Sequence, residues 1–261
     1  MSSPTALVTG AARGIGAAVT HRLVRRGFHV VALDGCAGAD GGTAYGLATR
    51  ADLDAVAGAH PGEVTAVVAD VRDPAALGAV VDRVRAEHGG LSVVVAGAAV
   101  IAGGDALWAT DDALLDAVWR SDAVSVWNTA KATLPLLLQQ PAAARPSFVA
   151  ITSAAGEHGL YHLSAYCMAK HAVVGLVRAL AADVAGHPVT VAGVSPGSTS
   201  TDMLRETARL YGLDDVSGLV AEQAIGRALE PDEVASVVEF ACTAGPVVHG
   251  SVLAATGGFG P

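Results

Sequence analysis

Tyr166 and Lys170 stand four residues apart in Tyr166-Cys167-Met168-Ala169-Lys170, a spacing that sets a phenol and an ammonium on one face of a helix. A cation so placed favours tyrosinate and draws the phenol from about 10 toward the working range of a general base. Ser153 lies thirteen residues before Tyr166, at the end of an apolar β-type run. Its hydroxyl can hold a carbonyl or alcohol oxygen, a neutral counterpart of an oxyanion hole. Taken singly, each has a plainer reading, since Tyr/Lys pairs occur on solvated helices and serine is common in strand-end turns.

A second group of residues suits a dinucleotide. The run Ala6-Leu7-Val8-Thr9 leads into Gly10-Ala11-Ala12-Arg13-Gly14-Ile15-Gly16 and then a helical pattern. Glycines at such a turn let the backbone approach a pyrophosphate, which rests on the free N–H groups of the helix start. The next strand ends at Asp34, 18 residues after Gly16. A carboxylate there accepts from ribose hydroxyls and repels a 2′-phosphate, favouring NAD over NADP. Arg13 pulls the other way, because a cation in the glycine loop can pair with that phosphate. Asp70-Val71 closes the third strand, where Asp70 can meet an adenine edge or cap a helix.

The elements that must position these residues follow from the hydrophobic pattern. Apolar runs at 6–9, 29–33, 64–69, 92–96, 147–152, 190–194 and 252–254 alternate with helical segments at about 14–26, 74–88, 111–138, 164–186 and 231–243. Shorter helices are expected near 50–58, 203–211 and 217–225. The pattern predicts an α/β fold, a single doubly wound domain over 1–261 with a seven-stranded parallel sheet flanked by helices. The glycine-dense stretch 35–46 reads as a loop over the sheet edge.

Composition narrows the rest. The chain has 261 residues, 52% hydrophobic and 16% charged, with a formal net charge of −9. Such a chain folds, and its acidity argues against nucleic acid or an anionic membrane as partner. No run reaches the roughly 18 continuous apolar residues of a membrane span; Leu91–Ala102, the most apolar, reads as a buried strand. The start Met1-Ser2-Ser3-Pro4 shows no leader pattern, so a cytoplasmic protein is expected. Three scattered cysteines, Cys36, Cys167 and Cys242, read as small buried residues, and no metal-ligand cluster stands out among the nine histidines. His158 and His162 read as exposed loop residues; Trp108, Trp119 and Trp127 as packing or subunit-contact residues. Of the 16 basic residues only Lys131 and Lys170 are lysines. Lys131 reads as a solvated charge, whereas the place of Lys170 suits a compact ammonium.

Together the motifs resemble the short-chain dehydrogenase/reductase family across essentially the whole chain. They are TGxxxGxG from Thr9 to Gly16, Asp34, Asp70-Val71, Ser153, YxxxK from Tyr166 to Lys170, and Ser195-Pro196-Gly197 followed by Thr201-Asp202-Met203. The resemblance implies Tyr166 as general acid/base, Lys170 lowering its pKa and binding the nicotinamide ribose, and Ser153 holding the reacting oxygen. It further implies an NAD site made by Gly10, Arg13, Gly14, Ile15, Gly16, Asp34, Asp70, Val71, Ala96, Gly97, Pro196, Gly197, Thr199 and Thr201, with Thr201 on the nicotinamide carboxamide. The implied reaction interconverts a secondary alcohol and a ketone by direct hydride transfer.

Two departures stand out. Val94-Val95-Ala96-Gly97 replaces the family's usual Asn-Asn-Ala-Gly, removing amides that tie neighbouring strands. Counted back from Pro135, Asp122 occupies the position of the family's fourth catalytic residue, an asparagine. A closer resemblance, to the mycofactocin-associated subfamily, rests on Tyr45-Gly46-Leu47-Ala48-Thr49, Ala51-Asp52-Leu53, Val100-Ile101-Ala102-Gly103-Gly104, Ala165-Tyr166-Cys167, Ser195–Thr199 and Ala208–Leu213. It implies that 35–62 is a cofactor lid and that tightly held NAD is reoxidised by an external redox carrier such as mycofactocin; separately, the variable segments 154–163 and 197–225 are expected to build an apolar substrate pocket, with 197–225 as a substrate lid. Family habit implies a homotetramer. Two alternatives remain, an NADPH-dependent ketoreductase of fatty-acid or polyketide type and a non-catalytic NAD-binding module.

Overall fold

Seven strands pair in parallel in a computed structural model that describes residues 3–260. They are β1 (Thr5–Thr9), β2 (His29–Asp34), β3 (Val64–Val68), β4 (Val93–Ala96), β5 (Ser147–Ile151), β6 (Thr190–Pro196) and β7 (Val252–Ala255), in the spatial order β3-β2-β1-β4-β5-β6-β7. Successive side chains of a strand point to opposite faces, so Ala6 and Val8 pack into one core while Leu7 packs into the other. This explains why β1 is apolar without alternation: both its faces are covered.

The first face carries α1 (Gly14–Arg25), α2 (Arg50–Gly58) and a late helix, Pro231–Thr243. The second carries α3 (Pro74–His88) and the long helices that follow β4 and β5. The segment predicted as one helix over 111–138 is α4 (Asp112–Val118), a π-type turn at Trp119–Val124, and α5 (Ser125–Leu137). Such a turn packs an extra residue into the coil and re-aims side chains. Here it turns Asp122 wholly inward.

After β5, α6 (Ser164–Asp183) stops three residues short of its expected end. It is the one helix among the described residues long and apolar enough to cross a membrane, although half of its most apolar stretch is buried inside the fold. Beyond β6 come α7 (Asp202–Leu210), a single turn α8 (Ser217–Val220) and α9 (Pro231–Thr243). The helix expected over 217–225 therefore ends at Val220, and Gln223 instead bridges antiparallel to Phe259. Likewise, only Val93–Ala96 of the apolar run 91–102 is strand; Gly97 onward leaves the sheet. Met1 and Ser2, on which the reading of the N-terminus partly rests, lie outside the described residues.

The strand order reverses between β1 and β4, and Thr9 pairs with both Leu33 and Ala96, so the carboxyl ends of β2, β1 and β4 lie level. A crevice at such a switch point is where open α/β sheets bind ligands.

Candidate active site

A cavity of 540 Å³ opens at that crevice. Of the residues expected at the site, only Ala96, buried in β4, and Asp122 do not line it. The floor at one end is backbone. Gly10 has φ +69°, and a Cβ there would lie 2.8 Å from Ala98 Cα; on Gly16 it would lie 2.0 Å from the Gly10 carbonyl oxygen. Gly14 takes φ +56°. No other residue type allows these three approaches at once, and they expose the N–H groups at the start of α1. Arg13, Gly14, Ile15 and Gly16 ring that start.

The acidic residues at this end are held differently. Asp34 Oδ2 accepts from Ala12 N at 3.2 Å and Oδ1 from Cys36 N at 3.0 Å, which fixes the carboxylate at the cavity wall with lone pairs to spare. Asp70 is clasped by Arg72, whose Nη2 lies 2.7 Å from Oδ2, and this guanidinium holds the Asp70 carboxyl below its ordinary range. The cap of α3 is Asp73 rather than Asp70. Arg13 donates to Asp202 Oδ2 at 2.8 Å and sits 5.8 Å from the centre of the Tyr45 ring. Cys36 is only half-buried, at φ +49° in the cavity wall; burial pushes its thiol up to about 11.

The missing strand-tying amides have a substitute. Thr9 Oγ1 accepts from Gly97 N at 3.1 Å and Ala98 N at 3.3 Å, so the hydroxyl at the end of β1 holds β4's exit.

At the other end, Tyr166 and Lys170 project from α6, and Ser153 closes β5 with its Oγ accepting from Ala155 N at 3.1 Å. The Ser153 hydroxyl faces the phenol and favours its ionised form. Lys170 Nζ is 5.5 Å from the Tyr166 ring centre and 3.2 Å from Asp122 Oδ2, with both members of that ion pair buried. Asp122 Oδ1 accepts from Val100 N at 2.9 Å. The approach of Lys170 to Oδ2 is off the hydrogen-bond direction, so that oxygen is met by charge alone. Burial is the largest single influence and works against the ammonium, but Asp122 and Tyr166 together outweigh it and raise Lys170.

This corrects one expectation. Lys170 does act to lower Tyr166, yet burial outweighs it and Asp122 opposes it, leaving the phenol above its ordinary value. A phenol so shifted favours its protonated form, the form that donates to a substrate oxygen.

The segment 197–201 supplies the remaining wall. Thr199 Oγ1 donates to Gly197 O at 3.0 Å; Thr201 Oγ1 donates to Thr199 O at 3.2 Å and caps α7 by accepting from Leu204 N at 3.4 Å. Gln223, buried, donates to Ser198 O at 3.3 Å and Arg227 O at 2.7 Å, pinning this segment from behind. The glycine-dense stretch crosses the cavity instead of the sheet edge: Tyr45 Oη accepts from Ile101 N at 3.2 Å, and residues of 35–48 line the wall while α2 packs beside β3.

Other expectations need correction. His158 and His162 are half-buried, the latter at φ +54° beside Gly104 O. Trp108 is 89% exposed and Trp127 56%, so of the two roles expected for them, packing within the chain and subunit contact, the first does not hold for these two. Sequence reasoning missed Thr9, Tyr45, Arg72, Met203, Gln223 and Phe259. Thr9, Tyr45 and Met203 lay within quoted motifs without being assigned a role; Arg72, Gln223 and Phe259 carried no local signal. Among the described residues no group of three or more His, Cys, Asp or Glu is placed to hold a metal ion.

Comparison with known proteins agrees with this fold. Residues 4–211 match the family model described as short chain dehydrogenase. An uncharacterized NAD-dependent oxidoreductase of Mycobacterium tuberculosis is 33% identical over 242 residues, covering 89% of this chain and 86% of that protein. A 3-oxoacyl-[acyl-carrier-protein] reductase of Salmonella typhimurium is 30% identical over 254 residues, 97% of this chain and 96% of the other. The ligand-free aldohexose dehydrogenase of Thermoplasma acidophilum superposes with a TM-score of 0.81 at 25% identity, covering 98% and 94% of the two chains.

Proposed function

The chain belongs to the short-chain dehydrogenase family, as a nicotinamide-dependent oxidoreductase of CH–OH groups, and we propose that it interconverts a secondary alcohol and a ketone with NAD. The observation that carries this reading is the meeting of Ser153, Tyr166 and Lys170 in one cavity with the glycine cradle and Asp34. The cradle fits a dinucleotide because Gly10, Gly14 and Gly16 line the cavity as bare backbone at the start of α1, in a turn so tight that a Cβ on Gly10 or Gly16 would strike neighbouring main chain. When bound, the nicotinamide supplies the hydride acceptor or donor. Gly10, Arg13, Gly14, Ile15 and Gly16 hold the pyrophosphate, Asp34 the ribose hydroxyls, Asp70 and Val71 the adenine, and Ala96, Gly97, Pro196, Gly197, Thr199 and Thr201 the nicotinamide end. Ser153 orients the substrate oxygen, Tyr166 exchanges its proton, and Lys170, set by Asp122, orients ribose and phenol together.

The chain works as one unit in which 35–62 covers the cofactor and 197–225 the substrate. The tie from Tyr45 to Ile101 and the stacking of Arg13 on Tyr45 support a slowly exchanging NAD, with an external carrier such as mycofactocin as the electron acceptor. A homotetramer in the cytoplasm is the setting proposed.

The second reading, an NADPH-dependent ketoreductase, is favoured by the similarity to the acyl-carrier-protein reductase. Against it, a carboxylate at Asp34 would repel a 2′-phosphate beside it, and Arg72 is committed to Asp70. Mass spectrometry of the nucleotide released on denaturing the protein, with assays on secondary alcohols plus an artificial electron acceptor, tests both. Released NAD and alcohol-dependent acceptor reduction are expected; released NADP overturns the cofactor assignment. Nucleotide binding without turnover of any alcohol would instead indicate a non-catalytic binding module.

A further inference from the structure

Beyond β7 the chain does something no motif announces. Gly257 and Gly258 take φ +62° and +77°, the left-handed region, and turn the backbone sharply back. A Cβ on Gly258 would lie 2.7 Å from Ala224 Cβ. The returning strand is stitched to the segment behind the 197–201 wall: Ala224 N donates to Gly258 O and Ile225 N to Gly257 O, each at 3.2 Å. The next residue, Phe259, is thereby delivered into the wall of the cavity. Its ring centre lies 6.0 Å from that of His158, tilted by 54°. His158 sits five residues after Ser153, its N–H bonded to Ala154 O at 2.9 Å, so Phe259 packs beside the turn that opens at Ser153.

The surroundings fix the kind of ligand. Leu160, Leu163 and Met203 line the same cavity, and beside them Ser153 and Tyr166 offer the two hydroxyls. Every cation that lines it has an acidic partner: Arg13 and Arg205 share Asp202, Arg72 holds Asp70, and Lys170 holds Asp122. A carboxylate or phosphate on the substrate would have to compete with Asp202, Asp70 or Asp122 for each of these cations, whereas an apolar ring has leucine, methionine and phenylalanine to rest against.

We propose that Phe259 is a specificity-determining residue, the wall against which a neutral, ring-bearing secondary alcohol or ketone packs, held in place by the Gly257-Gly258 turn. The proposal rests on the reaction proposed above for the identity of that ligand. Its test is binding rather than turnover: calorimetric titration of cyclohexanone into the protein loaded with reduced nicotinamide cofactor, for the unaltered chain, Phe259→Leu and Phe259→Ala. The unaltered chain should bind. Phe259→Ala should weaken binding by roughly 10- to 100-fold, as expected for losing most of an aromatic contact, and Phe259→Leu by less. Cofactor affinity, measured on the same samples, should move less than about twofold, because the cradle lies at the other end.

An unchanged cyclohexanone affinity in Phe259→Ala overturns the proposal, as does a loss matched by an equal loss of cofactor affinity, or failure of the unaltered chain to bind the ring ketone. Binding that depends on Phe259 without any oxidation of cyclohexanol would support the wall and count against the reaction instead.

Discussion

At the glycine-rich end of the cavity the backbone makes the site: Gly10, Gly14 and Gly16 are selected by what a Cβ would strike, and Asp34 is fixed by two main-chain N–H groups. At the reacting end ionisable side chains make it, with Tyr166, Lys170 and Asp122 buried together and each altering the others. The first end is rigid by exclusion and tolerates no added volume. The second is held by charge, so it answers to pH and to single-charge substitutions while the chain trace stays put.

The widest gap between the two ends should open with Tyr166→Phe. Losing the proton-transfer group removes about 10²- to 10⁴-fold of turnover while leaving NAD affinity near its original value, read by steady-state kinetics beside direct titration. Gly16→Ala should do the reverse. Its Cβ meets the Gly10 carbonyl at 2.0 Å, so NAD binding should weaken by roughly 100-fold or more, with Tyr166 chemistry lost only through the empty cradle. Nucleotide titration of the variant checks it.

Asp122 separates charge from shape. Asp122→Ala strands the buried Lys170 ammonium and should cost about 3–5 kcal/mol of stability in denaturant unfolding. Asp122→Asn keeps an acceptor for Val100 N and removes only the charge. Facing Tyr166 are Lys170 and Cys167 on its own helix, Asp122 from the π-type turn, Ser153 from the end of β5 and Met203 from α7. Asp122 raises the phenol, so its neutralisation lowers it as long as Lys170 keeps its proton. Oxidation needs the deprotonated phenol and rises with pH through that value; Asp122→Asn should therefore move the rise of kcat/KM to lower pH. A rise left in place would mean that Asp122 acts by shape alone.

Smaller effects belong to the first end. Asp34→Ala should narrow the preference for NAD over NADP by roughly tenfold, about 1.4 kcal/mol, in competitive binding. Tyr45→Phe removes one hydrogen bond to Ile101 and should speed NAD release several-fold, consistent with about 1 kcal/mol, in a cofactor-exchange measurement.

What the sequence disclosed follows the same division. Gly10 to Gly16 and Tyr166 to Lys170 are local spacings on single elements, and a period of 3.6 or a tight turn places them without knowledge of the rest. Both sheet faces were legible from the unbroken apolar strands. The partners of these residues were not. Arg13 reaches Asp202 across 189 residues, and Phe259 returns to the cavity through two glycines whose left-handed turn no pattern signals. Thr9 was visible as the first residue of its motif, but its hold on Gly97 and Ala98 was not, because those partners lie 88 and 89 residues away. Burial was the largest miss at the reacting end: spacing shows that Lys170 acts on Tyr166, but only packing shows that desolvation and Asp122 outweigh it.

The central claim is that Tyr166 accepts a proton as hydride leaves a secondary alcohol for NAD. A single-turnover experiment addresses it most directly: NAD-loaded protein is mixed with cyclohexanol over a range of pH, and the near-ultraviolet absorbance of reduced nicotinamide is followed for the unaltered chain and Tyr166→Phe. The account predicts reduction of the bound nucleotide at a rate that rises with pH, and none on the same timescale in Tyr166→Phe. Equal reduction in both proteins would contradict it.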